Sequence, residues 1–293
     1  MDNFKRLIAF VLYRIKMKLT PEPKVISIEE TLKHVLKNKS SVSRFGDGEL
    51  KWIYGIDQDS FQRNDKNLGE QLKKVIESNQ KNCLICVPPI FDGLKLFTND
   101  AAFFWEKNYI RYSNKWRSLL TLKRVYFNAN ITRPYMEYKN KDNSSKIFSY
   151  WKDIFKNRNI IVVEGKYTRF GVQNDFLVTA KNVRRIICPN ENAFEKITEI
   201  EKSILRNCKG INVPLVLVAL GPTATVIAYD LCNKGIQVID IGHADIEYEW
   251  YLRHATHKIS IENKFVNEAG DNIKNFGKID DPIYSSQIID EII

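Results

Sequence analysis

The chain has 293 residues, 44% of them hydrophobic and 12% aromatic, enough to bury a sizeable core in one large domain or two small ones. Thirteen Gly and nine Pro with no internal period exclude a fibrous or repeat architecture. A net charge of +10 suits anionic partners such as nucleotide diphosphates or acidic membrane surfaces. Lys and Arg are spread rather than massed, and no zinc-finger, RNA-recognition or helix-turn-helix signature occurs, so no nucleic-acid partner is expected.

Residues 1–20 read as a basic amphipathic N-terminal helix ahead of a single domain over 21–293. Leu7, Val11 and Ile15 share one helical stripe with Ile8 and Leu12 beside it, and Lys5, Arg6, Arg14, Lys16 and Lys18 supply charge. Such a helix either lies on an anionic membrane surface or packs on its own domain. Its apolar run is too short to cross a bilayer, and no small-residue cleavage site follows. The five cysteines, Cys83, Cys86, Cys188, Cys208 and Cys232, sit dispersed in apolar settings, as free thiols do in a reducing compartment. A cytoplasmic location is therefore expected, with contact at the inner face of the membrane as an option.

Ser27 and Glu30 form a capping box opening a helix over 28–38. A strand over 41–45 runs into an acidic loop. A helix over 66–78, a buried strand over 83–87, an aromatic-rich helical stretch over 94–120 and a strand over 125–129 follow. A polar loop is expected over 140–145, then a helix over 146–156 and a strand over 160–163. Strands over 184–188, 214–219 and 237–241 alternate with helices over 193–207 and 222–233, and the polar tail after Gly270 reads as peripheral. Runs such as Leu-Val-Leu-Val-Ala-Leu are apolar on both faces, as in a parallel sheet covered on each side. The expected class is α/β: a Rossmann-like, mostly parallel sheet with helices on both faces.

Ligands of open parallel sheets lie beyond the carboxyl ends of the strands. The polar signals fall there: Asp47 and Glu49, Glu164, Asn190 and Asn192, Gly221 to Thr223, and 242–249. On an extended backbone Asp47 and Glu49 project to one side, and paired hard oxygens suit a diphosphate-bound Mg²⁺ or Mn²⁺. The plain alternative is an Asp-Gly turn with a solvated Glu. Gly221-Pro-Thr-Ala224 opens a helix after a buried strand, so its amides, with the Thr223 hydroxyl, favour a phosphate. Arg169 either forks onto a phosphate or pairs with Asp175 or Glu164 to fix its loop. Asn174 and Asp175 can bind sugar or ribose hydroxyls. Asn192, with Glu195, reads as a helix cap or as a base or ribose contact. Asp245, Glu247 and Glu249 alternate within an acidic, aromatic run, itself also compatible with an ordinary surface element. One of them is expected to act as general base, in the order Glu249, Glu247, Asp245, with Tyr248, Trp250 or Tyr251 stacking on a sugar. His254 and His257 have no evident metal partner. Neither G-x-G-x-x-G nor Walker A occurs, against NAD and P-loop chemistry.

In this order, Arg44-Phe-Gly-Asp-Gly-Glu49, the 164–175 segment, Pro189-x-x-Asn192-Ala-Phe194, Leu220-Gly-Pro-Thr-Ala224 and Asp240-Ile-Gly-His-x-Asp-Ile-Glu-Tyr-Glu-Trp250 resemble the GT-D-type bacterial glycosyltransferases over residues 25–255. The resemblance implies a Rossmann-like fold and a D-x-E motif, here Asp47 and Glu49, that holds a divalent cation and a UDP-sugar. It implies a glycan or surface-glycoprotein acceptor, in adhesin glycosylation or polysaccharide assembly. Arg44 or Arg169 would share the diphosphate charge. Gly165-Lys-Tyr-Thr and the basic N-terminal helix depart from the family pattern and leave donor and acceptor sugars open. Two other readings stay open: a non-catalytic nucleotide- or glycan-binding protein of the same fold, and, disfavoured by the paired acids, a methyltransferase.

Overall fold

The structure, a computed structural model, describes residues 2–58 and 60–293. Among these are ten α-helices and nine strands. The first half runs α1 (Asp2–Leu19), β1 (Lys24–Val25), α2 (Ile28–Asn38), β2 (Ser41–Arg44), α3 (Asp47–Ile53), α4 (Lys66–Glu77), β3 (Cys83–Val87), α5 (Asn99–Leu119), β4 (Val125–Asn128) and α6 (Asp142–Phe155). The second runs β5 (Asn159–Gly165), β6 (Asn182–Cys188), α7 (Ile197–Cys208), β7 (Leu215–Ala219), α8 (Pro222–Cys232), β8 (Gln237–Asp240), α9 (Ala244–Leu252), α10 (Pro282–Gln287) and β9 (Ile288–Glu291).

The strands form one sheet in the order β1-β4-β3-β2-β8-β7-β5-β6-β9. Every pairing between them is parallel. Side chains alternate between faces with period two. Val42, Leu84, Cys86, Val162, Leu217 and Ile239 enter a core with α2, α6 and α9. Ile85 and Val87 pack on the opposite face with α3, α4 and α5. Val163, Val218 and Val238 do so with α7 and α8. The expected α/β class with two covered faces is what forms.

The site is placed by one feature of this order. β2 and β8 are neighbours, yet α3 and α4 leave β2 on one face and α9 leaves β8 on the other. Diverging connections leave a crevice at the carboxyl ends. The local signals act as expected at α2, where Ser27 Oγ accepts the Glu30 N–H at 3.1 Å and Glu30 Oε2 accepts the Ser27 N–H at 3.0 Å.

Several expectations are corrected. The 94–120 helix begins only at Asn99, because Thr98 Oγ1 caps it by accepting the Ala101 N–H. Residues 142–145, expected in a loop, already belong to α6; Asn140 Oδ1 accepts the Asp142 N–H. The tail is not merely peripheral, since α10 leads into β9, which extends the sheet beside β6 and buries Ile292. The N-terminal helix packs through Ala9 and Tyr13 along α5; its first residue, Met1, lies outside the described residues. Tyr13 meets Tyr109 edge-on at 5.1 Å. All five cysteines are free and buried. Among the described residues no helix is long and apolar enough to cross a membrane.

Candidate active site

The crevice is a cleft of about 1170 Å³ lined by the segments following β2, β4, β5, β7 and β8 and walled by Trp105, Arg111 and Tyr112 of α5. At its floor Arg44, the last residue of β2, spans to β8. Its Nε donates to Asp240 O at 3.1 Å, its Nη2 to Asp240 Oδ1 at 3.1 Å and its Nη1 to Ala129 O at 3.3 Å. Thr225 Oγ1 donates to Asp240 Oδ2 at 3.1 Å, and burial raises the Asp240 carboxyl. Gly242 makes this span available. It has φ +45°, and a Cβ there would sit 1.9 Å from Arg44 Nη2. Gly221 does the same for the neighbouring loop, since its Cβ would meet the Phe61 ring at 2.4 Å.

Asp47 and Glu49 both line the cleft, but not as an extended pair. They occupy the first turn of α3, where residues two apart diverge by about 200°. Glu49 turns back so that Oε2 accepts the Gly46 N–H at 2.7 Å, taking one orphan donor of the helix start. Asp47 Oδ2 accepts from Lys51 Nζ at 2.7 Å. Burial, then the neighbouring Asp240, pushes the Glu49 carboxyl up to about 7. Glu49 thus neighbours Asp240, and Asp47 lines the same cleft, with Arg44 holding Asp240 and Lys51 holding Asp47. This donor set fits a hard divalent cation of the Mg²⁺ or Mn²⁺ type, which takes one or two protein carboxylates and completes its shell from water and phosphate oxygens. Among the described residues no group of three or more His, Cys, Asp or Glu side chains is arranged to hold a metal unaided.

A second charged cluster lines the cleft across from α3. Arg133 Nη1 donates to Glu268 Oε2 at 3.3 Å, and Lys258 also binds Glu268. His243 Nε2 lies 3.7 Å from Glu268 Oε1. Against its burial, Arg133, His243 and Lys258 hold the Glu268 carboxyl far below its usual range. Burial pushes His243 down to about 4, so its imidazole is neutral at pH 7.

The other anticipated residues divide. Gly221 and Asp245 line the cleft. Thr223 is fully buried at the start of α8, its hydroxyl without a partner. Arg169 is no phosphate fork: it is buried, donating to Asn263 O at 2.7 Å and to Gly277 O, and so anchors the C-terminal segment. Glu164 accepts from Arg185 Nη1 at 2.7 Å and from the Phe170 N–H at 2.6 Å beneath the sheet end. Asn192 caps nothing with its side chain; it has φ +53° and its Oδ1 accepts the Arg63 N–H at 2.9 Å, pinning the Phe61 loop.

Asp245, Glu247 and Glu249 sit on a helix, so they do not share a side. Asp245 and Glu249, one turn apart, both grip Lys264 Nζ, at 2.6 and 2.8 Å. Asn174 Nδ2 donates to both acids at 2.7 Å, and Glu249 also binds Arg253. Against burial, Lys264, Asn174 and Arg253 lower the Glu249 carboxyl. Glu247 points the other way, its Oε2 accepting the Tyr135 and Met136 N–H groups at 2.9 Å, and burial pushes it up to about 7. Neither Glu247 nor Glu249 lines the cleft, whereas Asp245 does. Asp175 is also elsewhere, held by Lys152 at 2.7 Å and Tyr248 at 2.5 Å. Tyr248 and Trp250 are core residues and Tyr251 packs on Tyr135 and Phe148, so none of the three lines the cleft, whose aromatic lining includes Phe61, Phe104, Trp105 and Tyr112. Sequence reading gave no role to Arg133, His243 or Glu268, although His243 lies in the 242–249 stretch. The first two follow β4 and β8, where the strand-end rule finds them; Glu268 lies in an irregular stretch with no local signal.

Comparison with known proteins bears on the family and the fold. The family model for the glycosyltransferase GT-D fold matches residues 42–269. The chain is 35% identical over 274 residues to Glycosyltransferase GlyD of Streptococcus pneumoniae serotype 4 (strain ATCC BAA-334 / TIGR4), covering 92% of this chain and 32% of that protein. It is 35% identical over 269 residues to a probable glycosyl transferase, Gly, of Streptococcus gordonii, covering 90% and 38%. The chain therefore spans about a third of the length of these curated relatives. A solved structure described as the highly conserved domain of unknown function 1792, with a distinct glycosyltransferase fold, superposes with TM-score 0.89 at 33% identity, over 97% of this chain and 100% of that one. A new glycosyltransferase (DUF1792) from Streptococcus sanguinis gives TM-score 0.86 at 31% identity, over 93% and 100%. With the family's model spanning most of the sequence and its fold matched along nearly the whole backbone, the chain belongs to the GT-D glycosyltransferase family.

Proposed function

We propose that this chain moves a sugar from a UDP-sugar to a hydroxyl of a glycan acceptor, in surface-glycoprotein or polysaccharide assembly. The carrying observation is that Asp47, Glu49 and Asp240 all line one cleft at the switch point of a glycosyltransferase fold. Asp47 and Glu49 would hold Mn²⁺ or Mg²⁺. When bound there, the cation supplies charge neutralisation to the departing diphosphate. Arg44 holds Asp240 and with Gly221 shapes the floor. Trp105 and Tyr112 offer ring faces to a sugar or base. Of the three α9 acids, Asp245 alone lines the cleft, so acceptor deprotonation is assigned to it in place of Glu249. A base on the acceptor side implies a single displacement that inverts the anomeric carbon.

The test is turnover of a UDP-sugar panel by wild type and by the Asp47→Asn, Glu49→Gln variant, with Mn²⁺, with Mg²⁺ and with chelator. Gln at 49 keeps an acceptor for the Gly46 N–H, so the start of α3 survives. Turnover should vanish with chelator and in the variant while the melting curve is unchanged. Undiminished turnover in the variant refutes the metal assignment. Donor binding with no turnover under any condition favours a non-catalytic binding protein instead.

A further inference from the structure

α1 has two apolar faces, and only one is used. Ala9 and Tyr13 are buried against α5. On the outer face Phe4, Leu7, Ile8, Val11, Leu12, Ile15 and Leu19 are all exposed, from 43% at Ile8 to 75% at Leu19. At 3.6 residues per turn they form one arc of roughly 140°. A solvent-facing helix surface is ordinarily polar, so an apolar arc of this length marks a contact surface. Its charge names the partner. Residues 3–21 hold five cationic side chains and no Asp or Glu. Arg6 and Lys16 turn inward, to Asp100 Oδ1 and Ile110 O, both at 2.8 Å. Lys5, Arg14 and Lys18 are exposed; Lys5 and Arg14 border the arc, and Lys18 rises within it near the end of the helix.

From this geometry we infer that α1 is an interfacial helix that docks the protein on an anionic lipid bilayer. The apolar arc enters the headgroup boundary and Lys5, Arg14 and Lys18 meet acidic headgroups. α1 cannot span the bilayer, so it lies in the surface plane. It runs parallel to α5, with Arg6 beside Asp100 and Tyr13 beside Tyr109. Asp100, Ala101 and Phe104 belong to the first turns of α5 and line the cleft, so docking holds the cleft close to the membrane.

The experiment is flotation of the full chain with phosphatidylcholine vesicles, with and without phosphatidylglycerol, at low and raised salt, with light scattering of the lipid-free protein. Wild type should bind the anionic vesicles about tenfold or more tightly than the neutral ones, and raised salt should weaken binding. Val11→Glu with Ile15→Glu should lose about tenfold or more of that binding. Both positions are exposed, so its melting curve and its turnover in solution should match wild type. Lys5→Gln, Arg14→Gln and Lys18→Gln together should remove the preference for anionic vesicles. Absence of wild-type binding, or equal binding by the Val11, Ile15 variant, overturns the inference. So does a concentration-dependent dimer that this variant disrupts while vesicles recruit nothing, since a second copy would then cover the arc. Binding is read without turnover, so the result stands apart from the test of the proposed reaction.

Discussion

Replacing Gly242 by alanine should cost the fold roughly 4 kcal/mol, most of it through Arg44. The backbone there has φ +45°, which costs an L-residue about 1 kcal/mol. The new Cβ would stand 1.9 Å from Arg44 Nη2. The guanidinium is the end of a flexible side chain and can swing away, but only by leaving Asp240, whose side chain is 4% exposed. Stranding a buried carboxylate costs about 3 kcal/mol, the lower end of the range, because Thr225 still donates to it. Gly235→Ala isolates the backbone part: φ there is +78° and a Cβ would meet nothing within 4 Å, so about 1 kcal/mol is expected. Urea denaturation at pH 7 followed by tryptophan fluorescence measures both. Adding Asp240→Asn to Gly242→Ala should recover most of the excess, because no charge is then stranded. Equal losses for the two glycine variants, or no recovery from Asp240→Asn, would refute the reasoning.

Glu247 should make stability depend on pH. Burial pushes its carboxyl up to about 7, above its unfolded value, so its contribution is full below the unfolded value and is lost as pH rises through 7. Glu247→Gln should therefore flatten the fall in unfolding free energy between pH 5 and pH 8 by about 2–3 kcal/mol; parallel curves would exclude it. Lys264→Met leaves Asp245 and Glu249 facing each other with Asn174 between them, and should cost about 3–5 kcal/mol at pH 7. That loss should shrink as acid protonates the pair; a loss that persists undiminished at low pH means the lysine stem, not its charge, was the contribution.

What the sequence discloses depends on how far apart in the chain the partners lie. The 83–87 strand and the 28–38 helix match the expected boundaries because apolar runs and a capping box are local. The placement of polar groups at strand ends was legible too, since it follows from a parallel sheet alone. Asp47 and Glu49 were placed on the cleft but in the wrong conformation. Gly46 has no side chain to cap with, so the helix start it forms leaves no N-cap signal, and only the return of Glu49 to its N–H reveals it. Arg169 and Asn174 were assigned to ligand because their partners lie 71 to 108 residues away in sequence. Burial against segments that distant cannot be read from spacing. For the same reason Arg133 and Glu268, 135 positions apart, went unpaired.

The basic balance of the whole chain does not carry over to the cleft. Five cationic side chains line it, Arg44, Lys51, Arg111, Arg133 and Lys258, against eight carboxylates. Asp47, Glu49 and Asp240 are three of those carboxylates, and Asp240 adds to burial in pushing Glu49 up to about 7. A diphosphate entering such a cleft meets repulsion that Arg44 and Lys51 cannot offset, since each already holds an acid. Added positive charge there relieves that repulsion and the mutual repulsion of the acids at once. The +10 of the chain is therefore a poor guide to how it would bind a nucleotide, and the acids are the better one. UDP that bound equally well with and without a divalent cation would contradict this.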